Sequence, residues 1–231
     1  MTLPHRPAGV VFDMDGVLFD TERLARDALN SAGIEQGYPV HDALFQQMIG
    51  TPRPATNALL MAHFGADFPI DSFRAAWLSH YDRLVTLGPP LKPGLGELLD
   101  ALDTWGLPRA IATSSGHETV EHHLAAHGLR ARFDHVVASG DYVHGKPAPD
   151  PFLTAAARLG LAPAHCVALE DSHNGVRSAC AAGMMTIMVP DLLEATPEMT
   201  GICARIAPDL HMVRTLIAEA LAGPATRSER A

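Results

Sequence analysis

VVFDMDGVLFDTE, residues 10–22, is the stretch on which the fold turns. Val10–Phe12 is a short apolar run of the kind that forms a buried strand, and it stops abruptly at Asp13, Asp15 and Gly16. Side chains two apart on extended backbone point the same way, so Asp13 and Asp15 can face one site. Neighbouring carboxylates repel, and a metal or a shared proton must relieve them. The plainer alternative is an Asp-rich turn in which Gly16 supplies a positive φ. An EF-hand is excluded: its fifth and sixth loop positions would be Val17 and Leu18, where Asp or Asn and then Gly are needed.

The same sequence of apolar run, polar turn and helix recurs further along the chain. Arg109–Ala112 leads into Thr113-Ser114-Ser115-Gly116, and a helical pattern follows from His117 to about His127, closed by Gly128. Val136–Ala138, Val167–Leu169 and Thr186–Val189 are further strands, and Gly183 stands where a helix would be capped. Strands alternating with helices predict an α/β fold with a mainly parallel, doubly wound sheet. The site of such a sheet lies beyond the carboxyl ends of its strands.

Residues 20–90 break the alternation. A helical pattern runs from Asp20-Thr21 to about Gly33, with further helical segments at Ala55–Phe64 and Ser72–Thr86 and no clear strand between them. Pro89-Pro90 and Lys92-Pro93-Gly94 mark a return to alternation. The expected organisation is a core of residues 1–19 and 91–222, a helical cap of residues 20–90, and a flexible tail of residues 223–231.

Composition narrows the partners. With 17 basic and 26 acidic residues among 231, the net charge is 17 − 26 = −9. Nucleic acid and membrane surfaces call for basic patches, so neither is an expected partner. No apolar run approaches the roughly 20 residues of a membrane span, and no signal-peptide stretch precedes the first acid. Three widely spaced cysteines fit neither a disulfide framework nor a zinc knuckle. The expectation is a cytoplasmic, reduced monomer. An anionic substrate would then need local positive charge.

Three more constellations carry chemistry. Glu170-Asp171 follows a strand and, by the strand-end rule, can join Asp13 and Asp15 in an all-oxygen site suited to Mg²⁺. Asp171 or Ser172 can instead cap the next helix. Thr113 opens a hydroxyl-rich turn before a helix, which suits a phosphate oxygen or an ordinary N-cap. Lys146, between Gly145 and Pro147, is a fixed point charge or a surface lysine. Gly140 to Lys146 imitates a phosphate loop, but Pro147 stands where Ser or Thr must bind metal. Gly94-Leu95-Gly96 lacks the third glycine of a dinucleotide fingerprint, since position 99 is Leu. Most of the thirteen histidines are read as solvated or capping residues, and no histidine metal site is expected.

Taken in order, FDMDGVLFDTE (12–22), IATSS (111–115), GKPAPDPF (145–152) and LEDSHNGVRSACAAG (169–183) resemble the four motifs of the haloacid dehalogenase superfamily. The insert is similar to the small helical cap of its β-phosphoglucomutase and phosphoglycolate phosphatase branch. The resemblance implies a Rossmann-like core and Mg²⁺-dependent phosphoryl transfer through an aspartyl-phosphate. On matching positions, Asp13 is the implied nucleophile and Asp15 the general acid/base. Thr113, with Ser114, and Lys146 hold the phosphoryl group. Mg²⁺ is bound by Asp13, the backbone carbonyl of Asp15 and Asp171, with Glu170 acting through water. Gly50-Thr51-Pro52-Arg53 matches the cap's specificity loop, where Arg53 meets the distal part of the substrate.

Hydrolysis of a small phosphate monoester, a sugar phosphate, is the leading expectation, and a β-phosphoglucomutase-type isomerase is the alternative. The mutase branch resembled here carries a histidine early in the cap where this chain has Ala25, which cannot hydrogen-bond through its side chain. A true dehalogenase lacks the second motif-one acid, present here as Asp15. A binding module would tolerate the loss of Asp13, Asp15, Lys146 or Asp171, yet all four stand.

Overall fold

The computed structural model describes residues 3–49, 51, 53–86 and 88–223. They divide into two compact units, one made of the segments up to Phe19 and from Leu91 onward, the other of Asp20–Pro90.

The first unit is built on a six-stranded parallel sheet. Its strands are β1 (Gly9–Phe12), β2 (Arg109–Gly116), β3 (His135–Ser139), β4 (Cys166–Glu170), β5 (Met185–Met188) and β6 (Arg205–Ile206), in the spatial order β3-β2-β1-β4-β5-β6. β1 lies near the centre, with Val10 opposite Arg109 on one side and Val167 on the other. Residues alternate between the two faces. Val10, Phe12, Ile111, Leu169 and Ile187 pack with the leucines of α5 (Leu95–Trp105) and with α10 (Leu210–Ala222). Val11, Ala110, Ala112 and Ala168 pack with α7 (Asp150–Leu159) and α8 (His173–Ala181). Both faces are covered, which explains why these strands read as unbroken apolar runs. Burying one leucine of α5 is worth about 1.5–3 kcal/mol relative to exposing it. Near the return from the helical unit, Lys92 Nζ meets Asp191 Oδ1 at 2.7 Å, with both side chains largely buried.

Several boundaries shift by one or two residues, α2 (Asp42–Met48) was not expected, and two differences bear on the argument. β2 continues through Thr113–Gly116 as extended chain, with its pairing to β3 shifted between Ala112 and Gly116. The first helix, α1 (Thr21–Gln36), does not stop at Gly33. It ends at Gly37, whose φ of 77° makes the left-handed cap. Gly33 serves close approach instead, since a Cβ there would lie 2.7 Å from the Tyr38 carbonyl oxygen. β6 is a two-residue edge strand absent from the sequence reading, too short to show a pattern.

The second unit holds α1, α2 (Asp42–Met48), α3 (Arg53–Phe64) and α4 (Ile70–Val85). Tyr38, Phe64, Phe68 and Phe73 form a chain of ring contacts with centroids 4.9–5.4 Å apart. Trp77 on α4 donates its indole N–H to the Ala25 carbonyl of α1 at 3.0 Å, joining those helices. Of the expected tail, residues 224–231 lie outside the described residues.

Candidate active site

The site begins where β1 ends. Asp13 N donates to Leu169 O at 2.9 Å, holding the first acid against β4. The chain then doubles back, with Gly16 N on Phe19 O at 2.8 Å and Leu18 N on Met14 O at 2.9 Å. Gly16 has φ 82°, and a Cβ there would sit 2.2 Å from Asp171 Oδ2. Only glycine admits both the turn and the contact.

Asp13, Glu170 and Asp171 come together at the carboxyl ends of β1 and β4. They are 6%, 0% and 6% exposed, and one oxygen from each lies within 4.8 Å of the others. Lys146 enters the cluster from its loop, bonding Asp13 Oδ1 and, at 2.6 Å, Glu170 Oε1. Its ammonium also lies 5.0 Å from the Phe152 ring centroid. The other oxygen of Glu170 accepts from Asp171 N, Ser172 N and Ser172 Oγ, each at 3.0 Å. Gly175 makes room for this carboxylate, since a Cβ there would lie 1.7 Å from Glu170 Oε1. Ser172 accepts from Gly175 N and caps α8, so capping does not account for Asp171.

The hydroxyl residues of β2 divide by strand period. Thr113 is buried, its hydroxyl accepting from Ser115 N at 3.0 Å and its carbonyl from Tyr142 Oη at 3.1 Å. Ser115 donates its hydroxyl to Asp15 Oδ2 at 2.8 Å. Ser114, between them, is exposed. The sequence reading named Ser114 and missed Ser115 because it took residues 113–116 for a turn. Alternation along a strand would have paired 113 with 115.

Charge in the cluster is out of balance. Burial pushes the Asp13 carboxyl up to about 8, with Glu170 and Asp15 adding to the rise and Lys146 opposing it. Burial also disfavours the Lys146 ammonium, but Asp13 and Glu170 outweigh it and hold its pKa above the ordinary lysine value. One ammonium among three buried carboxylates leaves negative charge to be neutralised, and the donors are all oxygen. A hard divalent cation fits that set.

Arg53 belongs to the helical unit. It begins α3, is exposed, and shares a cavity of about 270 Å³ with Glu22, Ala25, Thr51, Arg74 and Trp77. Gly50 and Pro52 of the expected specificity loop lie outside the described residues. Arg74, which the sequence reading did not single out, donates to Asn57 Oδ1 at 2.9 Å and stands 5.6 Å from the Trp77 ring centroid. Burial and the charge of Arg53 lower its pKa.

One histidine, on α6 (His117–Ala126), stands apart from the solvated and capping ones. His123 is neither solvated nor a cap: it is 1% exposed and edge-on to Phe19 at 5.5 Å, and neither ring nitrogen has a hydrogen-bond partner. His127, four residues on, stacks on the same ring at 5.8 Å. Phe19 closes the motif-one turn, so these imidazoles serve as its packing.

The buried acids and Lys146 stand where doubly wound α/β proteins bind their ligands, beyond the carboxyl ends of the strands. Residues 7–183 match the haloacid dehalogenase-like hydrolases. The chain belongs to that family, in the branch that includes phosphatases and β-phosphoglucomutases. It is 34% identical over 213 residues to the plasmid-encoded protein CbbY of Cupriavidus necator, covering 83% of this chain and 82% of that protein. It is also 34% identical over 188 residues to fructose-1-phosphate phosphatase of Escherichia coli, covering 80% and 97%. Among solved structures, a hydrolase of the same family from Deinococcus radiodurans, with bound phosphate and sodium, superposes with a TM-score of 0.80. It is 28% identical, and the match covers 95% of this chain and 99% of that one.

Proposed function

We propose that this phosphoric monoester hydrolase acts on a small sugar phosphate, with the sheet-bearing unit as catalytic core and the Asp20–Pro90 unit as substrate-selecting cap. The observation that carries the reading is the buried Asp13 carboxylate, bonded to Lys146 and grouped with Glu170 and Asp171. The fructose-1-phosphate activity in the name of the Escherichia coli relative supports the substrate class.

In the first half-reaction an Asp13 oxygen attacks phosphorus, forming the aspartyl–phosphate bond as the bond to the leaving oxygen breaks. Asp15 gives its proton to that oxygen, which departs as an alcohol. In the second, Asp15 takes a proton from water, the water oxygen attacks phosphorus, and Asp13 is released with inorganic phosphate. Ser115 holds the Asp15 carboxyl for both transfers. Lys146 and the hydroxyl of Thr113 bind phosphoryl oxygens, with exposed Ser114 a further donor. Asp13, the Asp15 carbonyl and Asp171, with Glu170 through water, would hold Mg²⁺, which would supply neutralisation of the phosphoryl charge. Glu170 suits an outer role, because its own oxygens already accept from Lys146 and from Asp171 and Ser172. Arg53, with Arg74, offers cations to a second anionic or polar group of the substrate. Hydrolysis is favoured over phosphoglucomutase chemistry because Ala25 has no side-chain group to link cap and acid/base.

Asp13→Asn tests the assignment. Turnover of fructose 1-phosphate should fall by about 10⁴-fold or more while the melting temperature stays near that of the native chain. Excess EDTA should abolish native activity, and added Mg²⁺ should restore it. Substantial turnover by the variant, or full activity in EDTA, would refute the reading.

A further inference from the structure

The three thiols lie far apart in sequence, yet the fold brings two of them together. Cys180 is in the last turn of α8, and Cys203 directly follows α9 (Pro197–Ile202). Both pack against Val176, Met188 and Met199. Ala204 N on Thr186 O and Ala207 N on Met188 O, both at 2.8 Å, hold the Cys203 segment along β5. Cys180 Sγ lies 3.5 Å from the carbonyl oxygen of Ile202, the residue bonded to Cys203. Interaction with the Cys203 thiol is the largest influence on the Cys180 thiol.

We propose that Cys180 and Cys203 form a redox-modification site, a dithiol that a small disulfide of the glutathione type oxidises to an intramolecular disulfide tying α8 to the leading end of β6. The site is asymmetric, as such exchange requires. The Cys203 hydrogen bond, helped by Thr186 and opposed by burial, lowers the Cys180 thiol to about 6. The same bond, together with burial, holds Cys203 above the ordinary thiol range. Cys180 is therefore the more readily deprotonated thiol of the two, and Cys203 keeps its proton until the second step. Cys180 is only partly buried, which leaves it open to a small oxidant, and a cavity of about 240 Å³ lined by His5, Gly183, Met184, Ile202 and Ala204 opens on the Cys203 side. Cys166 takes no part: it is buried in β4, and burial pushes its thiol up to about 11.

The exchange balances in two displacements. The Cys180 thiolate attacks one sulfur of the oxidant, forming a mixed disulfide and expelling one thiolate. Cys203 gives its proton to solvent and attacks the Cys180 sulfur, forming the internal disulfide and expelling the second thiolate. Two protein thiols are oxidised and one external disulfide is reduced to two thiols. Disulfides of this transient kind occur in reducing compartments. The bond closes at one end of α8, while the first turn of that helix packs Gly175 against Glu170.

The test treats the native, folded full-length chain with oxidised glutathione and counts thiols by alkylation and intact mass. Two of three thiols should disappear with loss of only two hydrogen atoms, a Cys180–Cys203 cross-linked peptide should appear on digestion, and dithiothreitol should restore all three. Cys203→Ser keeps a hydrogen-bond donor beside Cys180, so that variant should accumulate one glutathione on Cys180 and no cross-link. Circular dichroism verifies that it is folded. Native protein that keeps three free thiols, accumulates only unresolved glutathione adducts, or cross-links through Cys166 would overturn the proposal.

Discussion

The two compact units handle positive charge in opposite ways. In the sheet-bearing unit, Lys146 is buried and committed to Asp13 and Glu170, so its position is set before any ligand arrives. In the helical unit, Arg53 is exposed on a cavity and Arg74 stands half-buried near it, its charge disfavoured by burial and by its neighbour. A cation held by carboxylates is preorganised for one group in every turnover. Two like charges lining a cavity gain most when an anion joins them. On the proposed reading, chemistry would rest on a finished arrangement and selection on one that the ligand completes.

Variants can sharpen that contrast. The largest effect expected is on the finished side, where Asp15→Asn removes the proton that the leaving alcohol needs. Turnover of an alkyl phosphate should drop by about 10²–10⁴-fold, whereas the phosphorylation step with an activated aryl phosphate should suffer less. Single-turnover kinetics with both substrates decides the point, and equal losses would remove Asp15 from the acid role.

A smaller effect is expected on the unfinished side. Arg53→Ala should raise KM about tenfold, or 1.4 kcal/mol, for a substrate with a second anionic group, leaving kcat and the KM of a small generic phosphate nearly unchanged. If both substrates weaken equally, Arg53 is not a selector and the contrast between the units fails.

The smallest effect concerns packing behind the motif-one turn. Burial lowers the pKa of His123 below its ordinary 6.5, with His122 and His127 adding to the fall and Asp15 opposing it. The folded state therefore binds fewer protons than the unfolded state as pH falls through 6.5. Stability from the neutral ring is fully present above 6.5 and is lost as pH falls toward the folded pKa. Melting temperatures between about pH 7.5 and 5.5 should decline more steeply for the native chain than for His123→Phe, which keeps a ring against Phe19 but cannot titrate. Parallel curves would exclude His123 as a source of acid sensitivity.

The sheet and its acids were legible because each rests on a local rule. A buried parallel strand must be apolar throughout, so Val10–Phe12 disclosed the strand and Asp13 the place where it ends; the close acidic cluster there takes in Glu170 and Asp171, while Asp15 pairs with Ser115. The alternation of sides along a strand, carried four residues past Ala112, would have found Ser115; the polar side chains there imitate a turn. Gly33 misled for another reason. Glycine marks both a helix stop and a close approach, and only the Tyr38 carbonyl tells which applies. Arg74 and the Cys180–Cys203 pair depend on packing between elements distant in sequence, which local pattern does not encode. His123 is a polar residue recruited to an apolar interior, against the usual preference of its type.

The lysines have a practical consequence. The chain contains just two, Lys92 and Lys146, with side chains 15% and 7% exposed and ion-paired to buried carboxylates. Amine-directed reagents used to attach dyes, cross-linkers or solid supports find no ordinary lysine on this surface. A lysine introduced on the surface would therefore be the one readily reached lysine amine, competing only with the α-amino terminus.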